Sequence, residues 1–194
     1  MKRLFLLFAW AFCASVVDAQ KISVDRIESD GKHQIMTETK DYSIDGAKYS
    51  FGMKVFEGEY SKVWCLLISS YYYIPDVAEV LLKLGNGETI YLSCNYVNVG
   101  KVTMPGYGFT IGNYTSISPS RDVDYYSSIY DITPEEIDKI EEHGIKKIRI
   151  SNGTSYRDKE FHGNSLGKYL VKCRKKIRER LDNPLKRKGL FDDF

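Results

Sequence analysis

Residues 130–150, YDITPEEIDKIEEHGIKKIRI, carry the local signal that most narrows the fold. Thr133 has the short hydroxyl side chain favoured at a helix N-cap, and Pro134 suits the first helical position, where no backbone N–H is needed. Glu136 stands three residues after Thr133 and completes a capping box, with Ile132 and Ile137 at the spacing of a hydrophobic staple. Gly144 stops the helix, and Ile145 is placed to pack on Ile140. Ile148 and Ile150 then alternate with Lys147 and Arg149 at the two-residue period of a strand. The segment therefore predicts strand, short helix, strand, with each unusual residue given a structural task.

The residues before it read as antiparallel β-structure. Ile22–Val24 and Gln34–Thr39 flank Asp30-Gly31, a hairpin signal. Tyr49–Phe56 and Val63–Tyr73 are further strand candidates. Val80–Leu84 and Glu88–Val97 flank Gly85-Asn86-Gly87, although 76–84 is also compatible with a helical turn. Ile90, Leu92 and Cys94 share one face, and Tyr91, Ser93 and Asn95 the other. Residues 98–124 hold repeated Gly and Pro and read as a long loop, or as a short hairpin with Val102–Met104 opposite Phe109–Ile111. Near the other end, Leu166, Tyr169, Leu170, Cys173, Ile177 and Leu181 follow helical spacing and form an apolar stripe that ends near Asn183-Pro184. The expected fold is α+β: an antiparallel β-rich sheet or two-layer sandwich, a strand–helix–strand unit and a C-terminal amphipathic helix.

The first 19 residues have a separate reading. Met1-Lys2-Arg3 is basic, Leu4–Val17 is apolar, and Val17-Asp18-Ala19 offers small residues for cleavage before Gln20. This is the pattern of a secretory signal peptide. Its apolar run is shorter than the roughly 20 residues of a spanning helix, and no later run is long enough to span. The expected organisation is a signal peptide at 1–19, one globular domain at 20–188 and a short tail at 189–194, in a secreted or periplasmic protein. Cys65, Cys94 and Cys173 all fall at apolar positions. They read as buried thiols, with Cys65–Cys94 the pair best suited to an alternative disulfide. No zinc-ligand spacing is present, and neither metal nor cofactor is expected.

The combination Y-x-I-T-P-x-x-I at 130–137, G-I-K-K-I-R-I at 144–150 and the closing amphipathic helix resembles segments of uncharacterised exported proteins of Bacteroides-type bacteria. The resemblance covers the last third of the chain and consists of caps and core positions. It implies an envelope address and no particular activity.

Few residues suggest catalysis. GNSLG at 163–167 matches the G-x-S-x-G pattern of a nucleophile elbow around Ser165. That elbow needs a buried strand before the serine and a histidine after it. The preceding residues 157–162 are polar, and His33, His143 and His162 all precede Ser165. Ser165 or Asn164 is instead a favoured helix N-cap. Glu135, Glu136, Asp138, Glu141 and Glu142 surround the thin Ile137/Ile140 stripe and read as a solvated face.

Two features point to binding. The chain has 15 tyrosines, among them Tyr72 in the Tyr71–Tyr73 run, Tyr107, Tyr125 and Tyr126. Tyrosine is a common strand residue and also a contact residue with an apolar body and a polar tip. Charge is the second feature. Residues 166–188 hold ten Lys/Arg against Glu179 and Asp182, or +8, whereas 20–165 hold 16 basic and 21 acidic residues, or −5. Lys168, Lys172, Arg174, Lys175 and Arg178 are the cations expected on the outer helix face. The sequence thus suggests an exported, non-enzymatic binding or interaction protein of a bacterial envelope. Its expected partners are an anionic polysaccharide, a lipid surface or an envelope protein; nucleic acid answers the same charge but is not expected outside the cell. The alternative is a hydrolase of envelope or dietary polymers using Ser165 or a helix carboxylate.

Overall fold

In the computed structural model, residues 20–111, 114–151 and 153–183 are described. Residues 1–19, where a signal peptide is expected, and the expected tail 189–194, together with Lys186, Arg187 and Lys188, lie outside the described residues. The strands are β1 (Ile22–Ile27), β2 (His33–Thr37), β3 (Lys40–Ile44), β4 (Ala47–Glu57), β5 (Lys62–Ser70), β6 (Glu79–Leu84), β7 (Thr89–Met104), β8 (Tyr107–Ile111), β9 (Tyr114–Ser118), β10 (Arg121–Asp131), β11 (Ile145–Ser151) and β12 (Tyr156–Glu160). The helices are α1 (Pro134–His143) and α2 (Ser165–Leu181).

Ten strands form one antiparallel sheet in the order β1-β2-β4-β5-β10-β7-β6-β11-β12, with β3 continuing beside β4 where β2 stops. The α+β expectation holds, with a single continuous sheet in place of two separate layers. The sheet curls until its ends approach. The Arg157 guanidinium donates to Asp45 O (3.0 Å), Asp158 N to the Asp45 carboxylate (2.8 Å) and Lys159 Nζ to Ser43 O (2.7 Å), so bonds that involve side chains tie β12 to β3 and the turn that follows it.

The core lies inside this curl. Along β4, Ala47, Tyr49, Phe51, Met53 and Val55 are buried at alternate positions, as a half-covered strand requires. They meet Trp64, Leu66 and Ile68 of β5, Val80, Leu82 and Leu84 of β6, and Ile148 and Ile150 of β11. The apolar stripe of α2 covers the opening, where Leu166, Leu170, Cys173 and Ile177 are all buried.

α1 forms as its sequence dictates. Thr133 Oγ1 accepts from Glu136 N (3.1 Å), and Glu136 Oε2 accepts from Thr133 N (2.8 Å). Gly144 adopts φ 69°, ψ 167° and donates to Ile140 O. This positive φ with an extended ψ sends the chain straight into β11 instead of through a left-handed cap.

Three elements differ from the sequence expectation. β3 is absent from the sequence expectation; Asp45 (φ 46°) and Gly46 (φ 74°) make the tight turn that pairs it with β4. The long loop over 98–124 is largely β-structure. β7 runs on to Met104, and Val102 pairs with Val123 of β10, not with Phe109–Ile111, which pair with Tyr114–Ser116 in the β8–β9 hairpin. An extra residue near Asn95, where Tyr96 pairs with Ile129 but Cys94 with Tyr130, bends β7 as it passes from β6 to β10. The third element is β12, an edge strand made of polar residues to which the sequence assigns no element.

Candidate functional site

The candidate site is the outer face of α2 and the groove at its N-terminal end. Residues 163–167 set where that face points. Gly163 has φ 69° and Asn164 is left-handed (φ 57°), so the chain turns sharply out of β12. The Asn164 side chain does not cap α2. Its Oδ1 reaches back to accept from Ile145 N (2.7 Å). Gly144 and Gly167 lie on either side of this amide, and a Cβ at either glycine would collide with it. Tyr42 Oη donates to Ser165 O (3.1 Å). Both glycines of G-x-S-x-G are thus explained by a joint that clamps α2 to the α1–β11 corner. Ser165 is the first residue of α2 and is exposed, and the strand before it is an antiparallel edge strand rather than the buried strand of an elbow. No histidine lines the groove beside it.

The seven cations of α2 divide into two sets. Arg174, expected on the outer face, instead lies buried between the helices and pairs with Asp138 of α1. Its position follows from the helical period: it is next to Cys173 and four residues after Leu170, within the covered arc. Arg180 pairs with Asp25 of β1, and Lys176 with Glu179 (3.2 Å). Burial alone would raise the Asp25 carboxyl, but hydrogen bonds from His33 and Arg180 outweigh it and hold the group below its ordinary value. His33 Nε2 lies 2.6 Å from Asp25 Oδ1.

The second set is Lys168, Lys172, Lys175 and Arg178. All four are exposed and form no ion pair among the described residues. Their spacings of four, three and three residues put them in one row, about 15 Å long at the helical rise. At its N-terminal end the row enters a groove of about 520 Å³, where Lys168 and Lys172 face Lys40, Glu38 and Asp41. Lys40 was missed in the sequence because it lies on β3. It is placed by two aromatic rings, with its Nζ 5.8 Å from the Tyr169 centroid and 5.9 Å from that of Tyr42. Asp41 is occupied by Lys48 (2.6 Å) and by Ser50, which leaves the groove with a surplus of positive charge.

Most of the tyrosines singled out in the sequence lie elsewhere, whereas Tyr169 lines the groove. Tyr71 packs edge-on against Tyr125 (5.2 Å) and Tyr73 against Tyr126 (5.4 Å), joining the end of β5 to β10. Tyr72 stacks near Tyr49 and lies beneath Arg157 (5.0 Å), in a separate cavity of about 190 Å³. Tyr107 belongs to β8 of the small hairpin. Tyr72, Tyr125 and Tyr126 do not line the lysine groove.

The acidic residues of α1 do not converge: Glu136 is used in the capping box and Asp138 with Arg174. Among the described residues no group of three or more His, Cys, Asp or Glu could hold a metal ion, and no helix is long and apolar enough to cross a membrane. The three thiols are unbonded. Cys65 faces the outer side of the sheet and Cys94 packs toward the inner side, so strand alternation separates the suggested pair.

Fold and site together define an antiparallel α+β protein with a cationic helix face. In comparisons with protein-family models, curated proteins and solved structures, nothing matches the chain.

Proposed function

We propose that the protein is an exported, non-enzymatic binding protein of a bacterial envelope that holds an anionic polymer or surface along α2. One observation carries this reading: Lys168, Lys172, Lys175 and Arg178 form a row of exposed cations, none of them in an ion pair among the described residues, and the row runs into a groove with Lys40. Cations left in a row keep their field available to an external polyanion, whereas paired cations do not. The apolar stripe of α2 is spent on the core, which favours contact along the surface over insertion into a bilayer. The export signal at 1–19 supports the envelope address. The hydrolase alternative gains no support from Ser165, whose surroundings serve the helix joint.

The test is retention of the mature chain on an acidic polysaccharide column and on anionic vesicles at low salt. Wild type is expected to be retained on at least one, and Lys172→Glu/Lys175→Glu/Arg178→Glu to elute early. Equal retention of the two proteins, or no retention of wild type on either, overturns the proposal.

A further inference from the structure

The opposite side of the sheet carries a second groove that the cationic row does not reach. Its floor and walls are Phe56, Val63, Cys65, Tyr96 and Ile129, on strands β4, β5, β7 and β10. These side chains alternate with Val55, Trp64, Leu66 and Tyr130, which face the core, so the groove lies on the outer face. The β1–β2 turn overhangs it through Glu28, Asp30 and Lys32. The cavity measures about 460 Å³ and is mostly apolar, within the range of small-molecule sites.

Charge identifies the kind of occupant. Three carboxylates and one lysine line the groove. Lys32 is held by Asp30 (2.7 Å), and Glu28 by Arg26 (2.9 Å). Asp131 forms no ion pair among the described residues; its Oδ1 accepts only a long contact from the Cys65 thiol (3.5 Å). Lys54, the cross-strand neighbour of Cys65, lies over the Phe56 ring (4.3 Å) at the β4 wall of the groove and forms no ion pair with Asp131. The Cys65 thiol is pushed up to about 12 by burial and by Asp131, so it stays protonated and is no nucleophile. The backbone groups of β5 and the facing part of β10 are used in ladders on both sides, so an added peptide strand has no edge to join here.

We infer that this groove binds a small amphiphile with an apolar body and a cationic head, the body lying against Phe56, Val63, Tyr96 and Ile129 and the head at Asp131. The site is independent of the polyanion row on α2.

The probe is n-octylammonium below its micelle concentration, titrated calorimetrically against the mature chain, with n-octanol and n-octanoate as the neutral and anionic matches. Val63→Trp fills the groove without adding charge, and Asp131→Asn removes the carboxylate. Both positions are exposed, and circular dichroism checks each fold. Binding lost in Val63→Trp is the part assigned to the groove. Octylammonium is expected to bind there about fivefold tighter than octanol, the size of one partly solvated charge pair, and octanoate more weakly still. Asp131→Asn should bring octylammonium down to the level of octanol. Absence of saturable binding, retention of it in Val63→Trp, equal or tighter binding of octanoate, or an unchanged preference in Asp131→Asn overturns the inference.

Discussion

The inward and outward sides of α2 carry the same kind of residue to opposite ends. Arg174 and Lys175 are neighbours in sequence, yet one is buried against Asp138 and the other stands in solvent without an acidic partner among the described residues. Toward the protein, Arg174 and Arg180 fasten the helix to α1 and β1. Away from it, Lys168, Lys172, Lys175 and Arg178 touch no carboxylate among the described residues. A cation count therefore overstates the charge available for binding, because part of it is spent on the fold.

The sharpest way to break this comparison is to reverse one charge on each side. Arg174→Glu puts a carboxylate at a buried position beside Asp138, and is expected to cost about 4 kcal/mol in urea unfolding. Lys175→Glu should change stability by no more than about 0.5 kcal/mol. Comparable losses in the two would mean that the helix is not seated as described.

A second contrast lies within the joint at the start of α2. Gly167→Ala drives a methyl group into the Asn164 amide and should cost about 2 kcal/mol, since the amide is fixed by its bond to Ile145 N. Ser165→Ala, in the same five residues, should stay within about 0.5 kcal/mol. If the serine variant is the more damaging, the joint is misassigned.

The ion pairs that hold the fold should also respond to acid. The folded-state pKa of Asp25 is depressed, so its contribution is fully present above the ordinary carboxylate value of 3.8 and fades as pH falls through the lower folded value. Asp158 behaves alike, held at about 2 chiefly by its two-pronged bond with Arg149 (2.7 and 2.8 Å) and also by Lys147. Melting temperature should therefore drop on acidification from pH 4 toward pH 2, and Asp25→Asn/Asp158→Asn should flatten that slope while lowering stability at pH 7. An unchanged slope in the double variant would remove both pairs as the cause.

On the outward side, even three reversals together should cost little stability. The triple reversal at Lys172, Lys175 and Arg178 should leave the urea midpoint nearly unchanged, within about 1 kcal/mol, even while retention on a polyanion is lost. A large stability loss would show that the row belongs to the fold.

Much of the local structure was legible because its causes act over a few residues. The α1 caps, the alternation of Ile90, Leu92 and Cys94, and the stripe of α2 all depend on spacings of two to four. The missed β3 left a signal in Asp45-Gly46, and the polar β12 left almost none, because an edge strand tied by side chains need not alternate clearly. The extension of β7 was hidden by Gly100 and by the extra residue near Asn95, which break the pattern on which alternation depends. The lysine row was readable except for Arg174 and Lys40. The outer groove was not readable at all, since it joins β4, β5, β7 and β10 with a turn from the first hairpin.

By itself the sequence determined where α1 begins and ends, which face of α2 is apolar, and that positive charge gathers near residue 170. It did so because capping and periodicity are local and cost or stabilise regardless of distant partners. Only the tertiary structure decided which cations are spent, through Asp138 and Asp25, and that GNSLG is a joint, through Gly144 and Ile145. Those partners stand from about 20 to 155 residues away in the chain, and pairing between such distant groups is set by how the sheet curls, not by neighbours along the chain.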